Sequence, residues 1–408
     1  MNKVAIIGGG AAGLMAALFA ARAGADVTIY EHNNGVGKKI LASGNGRCNI
    51  INTTVSAEDY AGSDPSFVTY ALKQLFFGYF EKFCHSIGLV LDVKDDGRCY
   101  PLSNEAKSVL IAFKSAVTEA GVHIRTDATV SAVTKKENRF IVETALDQTA
   151  FDKVLIATGS EAAPQLGATA DGYRFAESFG HKIVPTYPSL VQLHLNSKNH
   201  HKMAGVKTTA EVTLFIDGKA KEKIEGDILF ANYGISGLAI LDISQKASHA
   251  LLCKQRVSIS LNLLPRYDRQ GLVNVIEKLF ASVPKHDVHT ALCGVLPAKI
   301  ATYLLEDAAL PLSSAVSALS PKEIKKLAHL IGEWKFEVSD THGFKHAEVS
   351  GGGVSTAQVN PKTMESEIIK GLYFAGEVLD IVGRRGGFNF HFAWASGMLA
   401  GKELAKKV

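Results

Sequence analysis

Val4-Ala5-Ile6-Ile7-Gly8-Gly9-Gly10-Ala11-Ala12-Gly13 is the stretch that decides the fold of this 408-residue chain. Its four apolar residues suit a strand buried on both faces, and they run directly into Gly-x-Gly-x-x-Gly. Leu14 to Ala23 is rich in Ala, Leu and Met and predicts a helix, closed by Gly24. Asp26-Val27-Thr28-Ile29-Tyr30 then predicts a second strand, with Glu31 at its C-terminal end. Strand, helix and strand in about 30 residues form the βαβ unit of a dinucleotide-binding fold. Gly8 allows the tight turn, Gly10 lets backbone approach a pyrophosphate, and Gly13 lets the helix pack closely on the strand. The helix N-terminus turns its N–H groups toward the phosphates. Glu31 stands where a carboxylate accepts hydrogen bonds from ribose hydroxyls. The motif alone does not separate NAD from FAD, and by itself a tight turn in any α/β protein reads the same way.

Working outward, the chain holds 37 glycines, about 9% where roughly 7% is usual. Gly35, Gly37, Gly44 and Gly46 punctuate a loop that includes Lys38, Lys39, Arg47, Cys48 and Asn49. Backbone of this kind suits close passage along a ligand, with the cations set against a diphosphate. A mobile solvated loop is the bland alternative. Lys153 to Ile156 predicts a strand ending in Ala157-Thr158-Gly159, after a β-meander expected at 123–125, 129–135 and 139–144. Near the C-terminus, Gly371 to Ala375 leads to Gly376-Glu377, and Gly386-Gly387 precedes a helix expected over 390–406. That helix N-terminus would present N–H groups to an anionic edge of a flavin ring.

The rest of the composition narrows the class. Apolar residues at 47% and charged residues at 21% describe a folded globular chain. A net charge of +4 does not demand a nucleic-acid partner. Five cysteines without a C-x-x-C pair argue against a disulfide scaffold and for a reducing cytoplasm. The glycines interrupt the apolar run at the N-terminus before it is long enough to span a bilayer, so a soluble protein without a membrane partner is expected. No metal site is expected, because the histidine pairs 200/201, 286/289 and 342/346 lack further ligands at zinc-like spacing. Walker A, G-x-S-x-G and H-E-x-x-H motifs are absent from the sequence.

Between Pro188 and Gly343 the glycine islands thin out. Strands are expected at 191–195, 208–216, 219–224 and 257–261, with Asp217-Gly218 as a hairpin turn. Helices are expected at 270–282, 298–305 and 321–331, the last with Ser320 as N-cap and Glu323 three residues on. Asn196 to Lys202 is a local basic patch, the kind that is most often a solvated loop.

Several stretches together resemble one bacterial family of FAD flavoproteins: G-K-K-I-L-A-S-G-N-G-R-C-N at 37–49, T-M-E-S-E-I-I-K-G-L-Y-F-A-G-E-V-L-D at 363–380 and G-G-F-N at 386–389. The likeness extends through 159–180 and through L-F-A-N-Y-G-I-S-G at 229–237. The family includes aminoacetone oxidase, bile-acid C=C reductases and the flavin-dependent dihydrouridine synthase of ribosomal RNA. Two departures stand out: Leu238 follows Ser-Gly where proline is usual, and Arg384-Arg385 precede Gly386 where aromatic or small residues are usual.

The resemblance implies an α/β fold, with a Rossmann-like FAD domain built from both chain ends (1–187 and 344–408), an inserted β-rich domain (188–263) and a small helical subdomain (264–343). It implies FAD contacts from Gly8, Gly10, Ala12, Gly13 and Glu31 at the first turn, and from Lys38, Lys39, Gly44, Gly46, Arg47, Cys48 and Asn49 in the loop. Val130, Ala157, Thr158 and Gly159 follow in the middle of the domain, with Gly376, Glu377, Gly387, Phe388 and Asn389 at its end. Three activities remain open at this stage. One is NAD(P)H-dependent reduction of a polarised C=C bond, in a uridine of ribosomal RNA or a steroid-like enone, NAD(P)H being a transient reductant. The second is O2-dependent oxidation of a small primary amine, and the third a non-catalytic, FAD-stabilised RNA-binding protein. Cys48, Tyr100 and His391 are the candidate proton donors, each next to a motif expected to face the flavin.

Overall fold

A computed structural model describes residues 1–407 and divides the chain into two units, one of residues 1–187 with 348–408 and one of residues 188–347. In the first unit, strand Lys3–Ile7 lies at the centre of a five-stranded parallel sheet. Val4 to Ile7 are buried on both faces, as a sheet covered on each side requires. Asp26–Tyr30 pairs on one side of it and Lys153–Ile156 on the other, and His123–Arg125 and Leu372–Phe374 form the two edges. Strands from both ends of the chain therefore share one sheet.

Helix Ala11–Arg22 shows little amphipathicity, because it is covered by the sheet on one side and by helix Phe388–Leu404 on the other. The two helices touch backbone to side: a Cβ on Gly397 would run into the Ala12 carbonyl, and one on Gly401 into the Ala16 carbonyl. Small residues at i and i+4 thus set the helix–helix distance.

One expectation needs correcting. His123–Arg125 is not part of the meander; it pairs in parallel with Asp26–Tyr30. The meander is Val130–Lys136, Arg139–Thr144 and Gln148–Phe151. A three-residue run carries no information about which neighbour it will find, so its placement is decided by the open edge of the parallel sheet.

The second unit is a closed six-stranded barrel, in the order Leu193–Asn196, Gly234–Ser236, Lys219–Ala231, Lys207–Ile216, Val257–Asn262 and Trp334–Thr341. Val212, Leu214, Phe230, Ile259, Leu261 and Trp334 are among its buried residues. Asp217 and Gly218 have φ of 49° and 76°, the paired left-handed geometry of a tight hairpin. Helix Leu238–Leu252 follows Gly237, and helices Arg269–Ser282, Val288–Leu292, Ala298–Asp307 and Pro321–Gly332 fill the stretch before the last strand. Ser320 and Glu323 form a reciprocal capping box at the start of the last of these helices. Trp334–Thr341 closes the barrel by pairing with Val257–Asn262 and Leu193–Asn196. The segments 188–263 and 264–343 consequently belong to one unit: a barrel without that strand would leave two open edges.

Candidate functional site

The glycine islands meet at the C-terminal ends of strands Lys3–Ile7, Lys153–Ile156 and Leu372–Phe374, where open α/β sheets hold their ligands. Gly8 has φ of 106°, and a Cβ there would strike the Ala157 carbonyl. Gly13 is held equally tightly, its missing Cβ replaced by the Gly8 carbonyl. Gly10 differs from both. It is the N-cap of helix Ala11–Arg22, and nothing lies within 4 Å of where its Cβ would be. The chain is closely packed before and after Gly10 and open at it, which is the cradle a diphosphate needs beside unpaired helix N–H groups.

Glu31 is buried, and its carboxylate accepts from Gly9 N (2.9 Å), Asn33 N (2.9 Å) and Asn33 Nδ2 (2.8 Å). The acid thus ties the glycine turn to the end of the second strand. Ala128 N donates to the Glu31 carbonyl at 2.9 Å, which brings the start of the meander, including Val130, beside this acid. Ala12 packs against Gly376 and Gly397, so its role is spacing. Thr158 lies against Gly172, and Gly159 comes within 3.9 Å of a Glu377 carboxylate oxygen when given a Cβ.

The loop after the second strand is anchored by Gly37 N to Gly9 O at 2.9 Å. Helix Lys38–Ala42 follows, and Lys39 Nζ meets Glu377 Oε2 at 2.8 Å. Glu377 Oε1 accepts from Ser350 N at 3.0 Å. Three segments distant in sequence are therefore joined by one carboxylate. Beyond this helix the backbone turns left-handed at Asn45 (φ 55°), which tolerates that conformation better than most residues, and at Cys48 (φ 58°), which rarely takes it. Arg47 is exposed and its guanidinium stands 5.5 Å from the Tyr100 ring centroid, while Gly44 borders the same ring.

At the far side, Gly387 (φ 94°) caps helix Phe388–Leu404, and a Cβ there would press on Asn49 Oδ1 and the Ile51 carbonyl. Asn49 Oδ1 is enclosed and has no hydrogen-bond partner. Asn389 spends its side-chain amide on Gly383, accepting from N at 2.8 Å and donating to O at 2.9 Å, so it shapes the loop from within. The Phe388 carbonyl accepts from Tyr60 Oη at 2.9 Å. Gly376 N donates to Ser396 Oγ at 2.9 Å, and that serine bonds back to the Phe392 carbonyl at 2.6 Å. Ser396, Tyr60 and Ser350 were not picked out from the sequence, because an isolated Ser or Tyr carries no motif.

Two candidate proton donors are buried. Cys48 has no exposed surface, and burial pushes its thiol up to about 12 against a smaller opposing pull from Ser43. His391 is also fully enclosed, its Nε2 on the Leu75 carbonyl at 2.8 Å, and burial lowers it to about 4. Neither side chain reaches a surface that a substrate could touch. Tyr100 retains a little exposure (7%), beneath Gly44 and Arg47.

An open Gly10 at a helix N-terminus and an unpartnered Asn49 oxygen fit FAD, with Glu31, Lys38 and the 44–49 loop as the residues that would hold it. Such a fold and site define an FAD-dependent oxidoreductase with an inserted barrel. Residues 2–403 match the family model described as HI0933-like protein Rossmann domain, and the chain belongs to that family. It is 34% identical to the 3-dehydro-bile acid delta(4,6)-reductase of Clostridium scindens, over 100% of both chains. It is 32% identical to the ribosomal RNA dihydrouridine synthase of Haemophilus influenzae, over 98% of both. The Escherichia coli protein of that name is 30% identical over 98% of this chain and 97% of its own. In fold it is similar to the 3-ketosteroid delta1-dehydrogenase of Sterolibacterium denitrificans, with a TM-score of 0.52 and 13% identity over 99% of this chain and 100% of the other. These relatives are enzymes, which sets aside the non-catalytic alternative. Among the described residues no helix is long and apolar enough to cross a membrane.

Proposed function

We propose that the protein is an NAD(P)H-dependent reductase of a C=C bond conjugated to a carbonyl, acting in the cytoplasm on a uridine of ribosomal RNA or on a steroid-like enone. The supporting observation is its full-length similarity to relatives named for each of these two reductions. Both reactions saturate an alkene whose β-carbon is electron-poor, so one chemistry serves both. NAD(P)H supplies two electrons and a hydrogen, a proton comes from the protein or water, and the alkene takes up both. FAD, when bound, supplies the capacity to pass two electrons and a hydrogen as hydride.

The protein's own part is to hold the cofactor and deliver the proton. Gly10 and the Ala11–Arg22 helix N-terminus receive the diphosphate, and the Lys39–Glu377 pair fixes the loop against the C-terminal segment. Tyr100 is the candidate that gives its hydroxyl proton to the α-carbon and regains it from water. Arg98, held chiefly by Asp96, also interacts with Tyr100 and sets a cation beside the phenol.

Anaerobic addition of NADH or NADPH to the holoprotein tests the reductant: the flavin absorption band near 450 nm should bleach within seconds. No bleaching with either, together with peroxide release from aminoacetone in air, would replace the reductase by an oxidase. Mass spectrometry of ribosomal RNA nucleosides from a deletion strain tests the substrate. Loss of one dihydrouridine selects RNA, and an unchanged RNA removes RNA as the substrate.

A further inference from the structure

The second unit places a column of rings beside the basic segment 196–202. Tyr233 stacks on His342 with centroids 3.9 Å apart and planes 18° apart, and His342 in turn lies 4.0 Å from His346. His194 Nε2 meets His342 Nδ1 at 2.8 Å, which locks the middle ring in place. His346 is exposed, whereas Tyr233 and His342 are half-buried. Among the described residues no group of three or more His, Cys, Asp or Glu is placed to hold a metal ion.

The basic segment is tied to this column by two bonds. His200 Nε2 bonds to the Asn232 carbonyl at 3.2 Å, and Leu195 N donates to the Tyr233 carbonyl at 3.3 Å. Lys198, His201 and Lys202 are exposed. Lys202 Nζ stands 5.3 Å over the Tyr303 ring, and Lys299 Nζ is held nearby on the Ala204 carbonyl at 3.2 Å. Residues 196–207 contain three lysines, two histidines and no acid. Of the acids at its margin, Asp227 pairs with Lys207 at 2.6 Å and Glu337 accepts from Asn196 at 3.5 Å, while Asp340, opposite His194 in the barrel, is exposed.

An exposed ring backed by a fixed stack, with cations on a neighbouring segment, suits an unpaired polynucleotide strand, a base stacking on His346 while phosphates meet lysines. We propose that this face of the barrel, carried by Lys198, His201, Lys202 and His346, is a docking surface for single-stranded RNA. The proposal rests on the ribosomal-RNA arm of the proposed function and names where that substrate is gripped. Duplex RNA, with its bases stacked internally, does not offer the ring faces that His346 would take up.

The test is fluorescence anisotropy of a labelled 15-nucleotide single-stranded oligouridylate with the FAD-loaded full-length protein at pH 8, titrated across salt concentration. For Lys198→Gln/Lys202→Gln the slope of log affinity against log salt should fall by about 1.4, two charges at roughly 0.7 each. That corresponds to binding about 25-fold weaker at 0.1 M salt, converging with wild type near 1 M. His346→Ala should weaken binding about fivefold or more at every salt concentration. An unchanged affinity and slope in the double-lysine variant, or equal binding of a duplex of the same length, overturns the proposal. Complementing the deletion strain separates the two failures. A double-lysine variant that restores dihydrouridine as well as wild type removes the surface and leaves the substrate reading; no restoration by wild type itself removes the substrate reading.

Discussion

Lys39 and Glu377 are 338 positions apart in sequence and form an ion pair of 2.8 Å, the point at which the N-terminal loop and the C-terminal segment of the FAD unit are fastened together. Both side chains are partly exposed, so the pair by itself contributes on the order of 1 kcal/mol or less to folding. Its larger effect is to hold the loop of Lys38 and Lys39 against Glu377 and, through it, Ser350. Glu377→Gln should leave the melting temperature of the apoprotein within a few degrees of wild type and weaken FAD about tenfold, measured by quenching of flavin fluorescence. A variant that melts far lower would make the pair a folding element.

Gly10 and Gly397 separate binding from folding. Alanine at position 10 meets no protein atom, so Gly10→Ala should fold normally and lose FAD. Alanine at 397 meets the Ala12 carbonyl, and Gly397→Ala should cost on the order of 2–3 kcal/mol through overpacking. Urea unfolding of the two apoproteins checks the contrast. Gly387 is unsuitable for this purpose, since its φ of 94° would strain any side chain before the ligand was affected.

His391 should make stability fall in acid. Its folded-state value is about 4 against an ordinary 6.5, so the unfolded chain takes up a proton first. Stability from this residue is complete above about pH 6.5 and is lost as the pH falls toward 4, by on the order of 3 kcal/mol. His391→Gln should be less stable at neutral pH but lose less between pH 6.5 and 4.5, as read by denaturant midpoints. Equal slopes in the two proteins would assign the acid sensitivity to other groups.

Tyr100→Phe should slow substrate reduction about a hundredfold with little change in KM, the size of effect expected for loss of a positioned proton donor. Bleaching of the flavin band by NAD(P)H should be unaffected. Slower bleaching would place Tyr100 in cofactor positioning instead.

Locally encoded features were legible from the residues alone. Val4 to Gly13 specifies a buried strand, a turn and a helix because burial, left-handed backbone and close packing each select residues within ten positions. Ser320-Pro321 with Glu323 likewise announces a helix start through contacts three residues apart, and Asp217-Gly218 announces a hairpin. Three-residue strands were harder, as His123–Arg125 illustrates: its sequence fits a meander or a parallel edge equally well. The barrel strand Trp334–Thr341 was legible but missed: Trp334, Phe336 and Val338 alternate with exposed Lys335 and Glu337, the period of two of a half-buried strand.

The sequence by itself determined the strand–turn–helix of a dinucleotide-binding fold and the glycine islands that gather at it. Only tertiary structure decided which polar side chains beside those islands are turned inward. Cys48 and His391 sit beside ligand-facing motifs in sequence, yet both are turned into the core, because neighbours along a turn or helix point in different directions. Lys39 stands next to Lys38 and looks equivalent to it, but it is spent on Glu377. The Tyr233–His342–His346 column left no local trace, since its three rings come from two segments more than 100 residues apart and meet only when the barrel closes.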